Sequence, residues 1–233
     1  MSAIAIIPAR GGSKRIPRKN LKPFDGVPMI ARSIRTALES GLFNEVIVST
    51  DDEEIAEVAK AHGAQVPFLR PAALADDFTG TAAVIAHALD ELRERPFEFA
   101  CCIYATAPLL QARFLRKGFD LLRGHPDKSF AFSVSTFGFP VQRALTLDDQ
   151  GALTPLYPQF RDIRSQDLAE AFQDAGQFYW GRRDAWLRGD ALFSSKSLPV
   201  VLPRYLVQDI DTAEDWKRAE YLYAALRAGG ELQ

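Results

Sequence analysis

Between Pro8 and Asn20 the chain carries five cationic side chains, Arg10, Lys14, Arg15, Arg18 and Lys19, and no carboxylate. Gly11 and Gly12 lie among them. Lacking a Cβ, they let the backbone approach a ligand and turn its N–H groups toward an anion. Arg10, Lys14 and Lys19 are suited to neutralising phosphate oxygens, arginine through two-pronged contacts. The Walker A pattern GxxxxGK(S/T) is absent, as is the dinucleotide fingerprint GxGxxG, and no helix pattern opens directly after the glycines. On its own the segment admits two readings, a phosphate grip of another kind or a solvated basic loop.

A second constellation lies near the other end of the chain. Asp209 and Asp211 stand two apart in an extended segment, so both carboxylates leave the same face. Two hard oxygen donors side by side suit Mg²⁺, which takes one or two carboxylates and completes its shell with water and phosphate oxygens. The alternative is helix-start chemistry, because Thr212-Ala-Glu-Asp215 is a variant of the capping box. Asp51 and Asp52 follow Val46–Thr50 at the end of an expected strand, and helix capping is their expected duty, with a contribution to substrate or metal as the alternative. His62, His87 and His125 are scattered without metal spacing or an acid–base partner. Cys101 and Cys102 are adjacent in a strand-like run, point to opposite faces, and read as inert core thiols. No Gly-x-Ser-x-Gly elbow occurs.

These groups need a scaffold. The chain has 233 residues, 47% of them hydrophobic, and a single α/β domain over residues 1–233 accounts for it better than two domains. Ala3–Ile7 reads as a strand buried on both faces. Further strands are expected at Glu45–Ser49, Gln65–Phe68, Phe99–Tyr104, Gln177–Trp180 and Leu198–Leu202. Helices are expected from near Pro28, over Glu53–His62, from Thr79–Thr81 to about Arg93, beyond Ala112, and over Asp211–Leu226. Such alternation implies a mainly parallel sheet with right-handed crossovers. Sheets of this kind bind ligands at strand carboxyl ends, which is where the basic loop leaves the first strand. The stretch 129–157 changes to β-rich segments broken by Gly and Pro, and is expected to form a small dimerisation arm.

A formal net charge of −2 argues against general nucleic-acid binding. Met1–Ile7 has no basic n-region and runs straight into Pro8, unlike a signal peptide. No apolar run approaches the roughly 20 residues needed to cross a bilayer. The expected location is the reducing cytoplasm.

The segment Ile7 to Asn20, IPARGGSKRIPRKN, resembles the N-terminal signature of the cytidylyltransferases that make CMP-sialic acids, a family with a Rossmann-like nucleotidyltransferase core. The resemblance implies a three-layer α/β sandwich and nucleotide contacts from Ala9, Arg10, Gly11, Gly12, Ser13, Lys19 and Asn20, with Arg10 and Lys19 facing a triphosphate. Phe68-Leu-Arg-Pro71 with Asp76-Asp-Phe-Thr-Gly-Thr81 resembles a further family segment. It implies that Arg70 contacts the pyrimidine and that Thr79 and Thr81 lie beside the base. The pattern from Asp209 to Asp215 resembles the family's metal motif, implying that Asp209 and Asp211 hold Mg²⁺ and that Asp211 is catalytic with Arg10 and Lys19.

Ile103 to Gln111 departs from the family pattern, with Ala105 and Ala107 in place of a proline and a hydroxyl residue. Together with Asp174 to Trp180 this variant is similar to the branch that activates pseudaminic acid. Gln111, Gln177, Phe178 and Tyr179 are then expected to border the sugar, although Phe178 to Trp180 equally fit plain strand core. The implied reaction is attack of the anomeric hydroxyl of a nine-carbon acidic sugar on the α-phosphate of CTP, with Mg²⁺ as cofactor and a homodimer as the working unit. CMP-sialic, CMP-legionaminic and CMP-Kdo synthesis are the alternatives within this class. A nucleotide-binding regulator without turnover is the alternative outside it, disfavoured by the Asp209/Asp211 pair.

Overall fold

The computed structural model describes residues 2–232. Its first strand, β1 (Ala3–Pro8), is an uninterrupted apolar run with five buried residues, as a strand covered on both faces must be. The basic loop follows and is closed by a two-residue ladder, β2 (Pro23–Phe24) with β3 (Val27–Pro28). Pro28 caps α1 (Met29–Glu39), and β4 (Glu45–Ser49), α2 (Glu53–Ala61), α3 (Thr81–Glu91), β5 (Phe99–Ile103) and α4 (Ala112–Gly124) continue the alternation. Next come β6 (Phe130–Thr136), the small hairpin β7 (Leu145–Leu147) and β8 (Leu153–Pro155), and then β9 (Phe172–Arg182). The chain finishes with α5 (Arg183–Arg188), β10 (Ser197–Val201) and α6 (Ala213–Ala228).

Six strands form one sheet in the order β10-β6-β9-β5-β1-β4. Its pairs β1–β4, β1–β5 and β10–β6 are parallel, while β9 runs antiparallel to both neighbours. Alternate residues of β1 feed the two faces. Ala3, Ala5 and Ile7 join α1, α2 and α4 in one apolar cluster, whereas Ile4 and Ile6 join α3 and α5 in the other. The result is the mainly parallel sheet expected from the alternation, within the three-layer sandwich that the resemblance implies. Cys101 and Cys102 divide between the two clusters as their adjacency requires, and burial pushes both thiols well above their usual range.

Two expectations are corrected. Gln65–Phe68 contributes only the isolated bridge from Ile47 to Gln65, since Pro67 has no N–H with which to extend a ladder. The expected arm at 129–157 begins too early. Phe130, Phe132 and Val134 pack into one cluster and Ala131 into the other, so β6 is an interior strand of the main sheet. The segment that leaves the sheet is 137–171. It carries the β7–β8 hairpin and exposes Leu145, Leu147, Leu153 and Leu156.

A third apolar cluster lies outside the sandwich. It joins Ile16 of the basic loop to Phe24, Met29, Leu109, Leu206, Ile210 and the inner face of α6. This cluster brings the two ends of the sequence together.

Candidate nucleotide site

β1 passes to β4 on one side and the chain then returns to β5 on the other, so the loops leaving β1 and β5 diverge at their carboxyl ends. With residues 70–84 they enclose a cavity of about 440 Å³. Arg10, Arg15, Lys19 and Asn20 line it from the basic loop, Arg70, Asp77, Thr79 and Thr81 from the segment leading into α3, and Tyr104 to Thr106 from beyond β5.

The loop is held by its own carboxylate frame. Asn20 Nδ2 donates to the Arg10 carbonyl at 3.0 Å, drawing together the start and end of the loop. The Gly11 N–H donates to Asp51 Oδ1 at 3.1 Å. Arg18 is paired with Asp52 and Glu54, and Asp52 also accepts the Ile55 N–H at 2.9 Å as N-cap of α2. Arg18 holds the Asp52 carboxyl below its ordinary range. Capping therefore falls to Asp52, while Asp51 serves the loop and lies 3.7 Å from Arg70. A Cβ at Gly11 would lie 2.5 Å from Asp52 Oδ2, so this glycine is required by close approach.

Arg70 is 5% exposed, its backbone N–H fixed on the Thr50 carbonyl at 2.7 Å. Burial lowers its pKa and the charge of Asp51 opposes that shift. Its Nε and Nη2 are buried with no hydrogen-bond partner among the described residues. A buried guanidinium in that state is costly unless a ligand supplies acceptors.

The distal carboxylates reach the same loop. Lys19 Nζ donates to the Ile210 carbonyl at 2.5 Å and lies 3.6 Å from Asp211, and Arg15 pairs with Asp211 at 2.7 Å. Thr212 and Asp215 form a reciprocal capping box at the start of α6, so that part of the helix-start reading holds. It leaves Asp209 and Asp211 outside the box. Asp209 reaches solvent on one side, yet the surrounding protein and the charge of Asp211 push its carboxyl up. Among the described residues no three His, Cys, Asp or Glu are grouped to hold a metal. Two mutually repelling carboxylates beside a phosphate-type loop nevertheless fit Mg²⁺, which draws its other ligands from phosphate and water.

Of the expected nucleotide residues, Arg10, Lys19, Asn20, Arg70, Thr79 and Thr81 share the cavity. Ala9, Gly11, Gly12 and Ser13 do not line it. Ala9 is packed in the core and Gly11 spends its N–H on Asp51. The four expected sugar residues also lie outside the cavity. Phe178 is fully buried in the sheet's larger cluster. Gln177 is buried and donates to the Leu206 carbonyl at 2.5 Å, tying β9 to the segment before Asp209. Tyr179 donates to Asp174 at 2.6 Å with its ring 5.4 Å from that of Tyr104. Gln111 precedes α4 and donates to the Glu231 carbonyl at 2.9 Å, in a separate cleft beside Arg32 and Tyr223. An interior strand between two apolar layers leaves Phe178 no route to a pocket.

Sequence reasoning passed over Tyr104, Arg15 and Asp77. Tyr104 sits just beyond β5 with its hydroxyl 3.0 Å from Thr81 Oγ1, and its carbonyl accepts Ser33 Oγ at 2.8 Å. Its place at a strand's carboxyl end was the available signal.

Comparison with known proteins accords with this geometry. A family model described as cytidylyltransferase matches residues 4–193. The chain is 45% identical over 225 residues to a pseudaminic acid cytidylyltransferase of Campylobacter jejuni, covering 96% of this chain and 97% of that protein. It is 30% identical over 227 residues to a CMP-N,N'-diacetyllegionaminic acid synthase of Legionella pneumophila, covering 95% and 96%. A solved structure of CMP:2-keto-3-deoxy-manno-octonic acid synthetase complexed with CTP matches with a TM-score of 0.71 at 18% identity, over 97% of this chain and 99% of that one. The fold, the cavity and these likenesses agree, and the chain belongs to the cytidylyltransferase family.

Proposed function

We propose that the chain transfers CMP from CTP to the anomeric hydroxyl of pseudaminic acid, giving CMP-pseudaminic acid and pyrophosphate. The observation that carries the nucleotide half is Arg70, a buried guanidinium with unpartnered donors in the wall of a cavity whose other side is cationic. A pyrimidine carbonyl supplies the acceptors that Arg70 lacks, and a triphosphate supplies the charge that Arg10 and Lys19 match. The sugar half is supported by 45% identity to a relative named for pseudaminic acid.

Chemistry of this kind depends on positioning and charge neutralisation. Arg10 and Lys19 hold the β- and γ-phosphates and stabilise the departing pyrophosphate. Asp209 and Asp211 would hold Mg²⁺, which supplies Lewis acidity toward phosphate and hydroxyl oxygens. Lys19 spans both halves of this arrangement through its contact with Ile210.

The reading takes residues 1–233 as one domain working in a homodimer, with the apolar 137–171 excursion as the contact. Exposed Leu145, Leu147, Leu153 and Leu156 favour that use of the segment. No described helix is long and apolar enough to cross a membrane. The cytoplasm is the proposed location, because CTP is available there and the two cysteines are buried and unpaired.

Pyrophosphate release is to be measured with CTP, Mg²⁺ and, in parallel, pseudaminic, N-acetylneuraminic and legionaminic acids and Kdo. Turnover with pseudaminic acid at the highest kcat/KM is expected. Preference for another of the four sugars refutes the acceptor, and no turnover with any refutes the reaction.

A further inference from the structure

The cations of the basic loop are all paired with the chain's own carboxylates, but not in equivalent ways. Arg15 and Lys19 meet Asp211, and Arg18 meets Asp52 and Glu54. Arg10 and Lys14 both meet Asp77, and among the described residues it is the only carboxylate that either pairs with. Arg10 Nη1 lies 2.5 Å from Asp77 Oδ1, and Lys14 Nζ lies 2.6 Å from Asp77 Oδ2. Each oxygen serves a different cation, which is how a bridging phosphate would be shared.

The presentation of Asp77 is built into the chain. Its neighbour Asp76 is consumed by the local turn, accepting the N–H groups of Phe78 at 3.0 Å and Thr79 at 2.7 Å and the Thr79 hydroxyl at 2.6 Å. That turn fixes the backbone on either side of Asp77 and leaves its carboxylate over the loop, on the cavity wall. The Asp77 side chain retains 34% of its exposure and that of Lys14 retains 80%, so water can reach both partners and exchange is open to an incoming anion. The same two cations hold the Asp77 carboxyl below its ordinary range.

We propose that Asp77 is an internal stand-in for phosphate, which a bound triphosphate or pyrophosphate must displace from Arg10 and Lys14, and that it thereby sets the affinity of the site for polyphosphate ligands. This rests on the reading of the cavity as a CTP site. Ligand binding is then an exchange of one anion for another. The cations never stand unpaired before CTP arrives or after pyrophosphate leaves, and weak anions have to overcome Asp77 before they can occupy the grip. Asp77 is therefore a residue that tunes selectivity, distinct from those that hold the nucleotide.

The test is the variant Asp77→Asn, with binding of pyrophosphate, CTP and cytidine measured by calorimetry and the KM for CTP by turnover. Loss of an exposed two-cation pair is expected to tighten pyrophosphate and CTP by roughly three- to tenfold, with cytidine unchanged. Asp77→Glu, which keeps the competing carboxylate, is expected to stay within about twofold of the parent protein. Glu53→Gln removes a charge beside Asp52 that no loop cation pairs with among the described residues and is expected to have less than about a twofold effect, which separates contact from general field. Unchanged or weakened pyrophosphate binding in Asp77→Asn overturns the proposal, as does equal tightening of cytidine or an equal effect of Glu53→Gln. Pyrophosphate calorimetry needs no acceptor sugar, so this outcome is independent of whether turnover with any sugar is found.

Discussion

Lys19 Nζ donates to the carbonyl oxygen of Ile210, 191 residues away in sequence, at 2.5 Å. One ammonium therefore sets the distance between the basic loop and the Asp209/Asp211 segment. Lys19→Ala should lower kcat by about 10²-fold or more, the loss typical of one preorganised electrostatic contact, here with the departing pyrophosphate. Single-turnover measurement at saturating CTP is the check, and a change confined to KM would assign Lys19 to ground-state binding.

Arg70 makes the opposite trade. Its buried guanidinium has two donor atoms without a hydrogen bond and meets Asp51 only at 3.7 Å, so the cost of burial and the ion pair oppose each other and Arg70→Met should leave the melting temperature of the free protein within about 4 °C of the parent. The same variant should lose most of the stabilisation that CTP confers on the parent protein, since mass action ties that shift to affinity. Thermal denaturation with and without CTP reads both effects in one experiment.

At Gly11 a single methyl is decisive. Gly11→Ala would drive its Cβ to 2.5 Å from Asp52 Oδ2, a group already engaged by Arg18 and the Ile55 N–H. Relief requires moving either the loop or the start of α2, and a loss of about 1–3 kcal/mol in unfolding free energy is expected from overpacking of this kind. Urea denaturation measures it, and an unchanged midpoint would mean that the loop yields freely.

Asp52 gives a pH signature. Arg18 depresses its folded pKa below the unfolded value. Its contribution is thus present above the unfolded pKa and lost as pH falls through the folded value, a window below about pH 4. Asp52→Asn keeps a cap acceptor but loses the ion pair. It should cost about 0.5–1 kcal/mol at pH 7 for a partly exposed pair. The gap from the parent protein should close as pH drops below 4, which denaturant midpoints at pH 7, 4 and 3 would follow.

The sandwich was legible because strand and helix periods alternate cleanly from Ala3 to Gly124, and the loop was legible because five cations around two glycines have few structural uses. The Asp209/Asp211 pair was equally visible in its spacing. Phe178 stays open between pocket and core in the sequence because an aromatic residue in a strand looks the same facing either, and only the sheet order puts it between two layers. β6 was read as part of an arm because strand pattern alone does not distinguish an interior strand from an excursion. Asp77 was passed over because its partners lie 67 and 63 residues away, a distance on which local sequence is silent.

The apolar cluster that seats Ile16 against Leu206, Ile210 and α6 has a consequence for the order of folding. Lys19 and Ile210 stand 191 residues apart, so joining the basic loop to the segment before α6 carries a large loop-closure cost. Asp51, Asp52 and Glu54 can hold one side of the loop once β4 and α2 have formed, but its Asp211 side is set only when α6 docks. The pairing of Arg15 and Lys19 with Asp211 is therefore a long-range step of folding, and a chain whose α6 has not docked keeps its sandwich while the loop has only the Asp51 to Glu54 anchor.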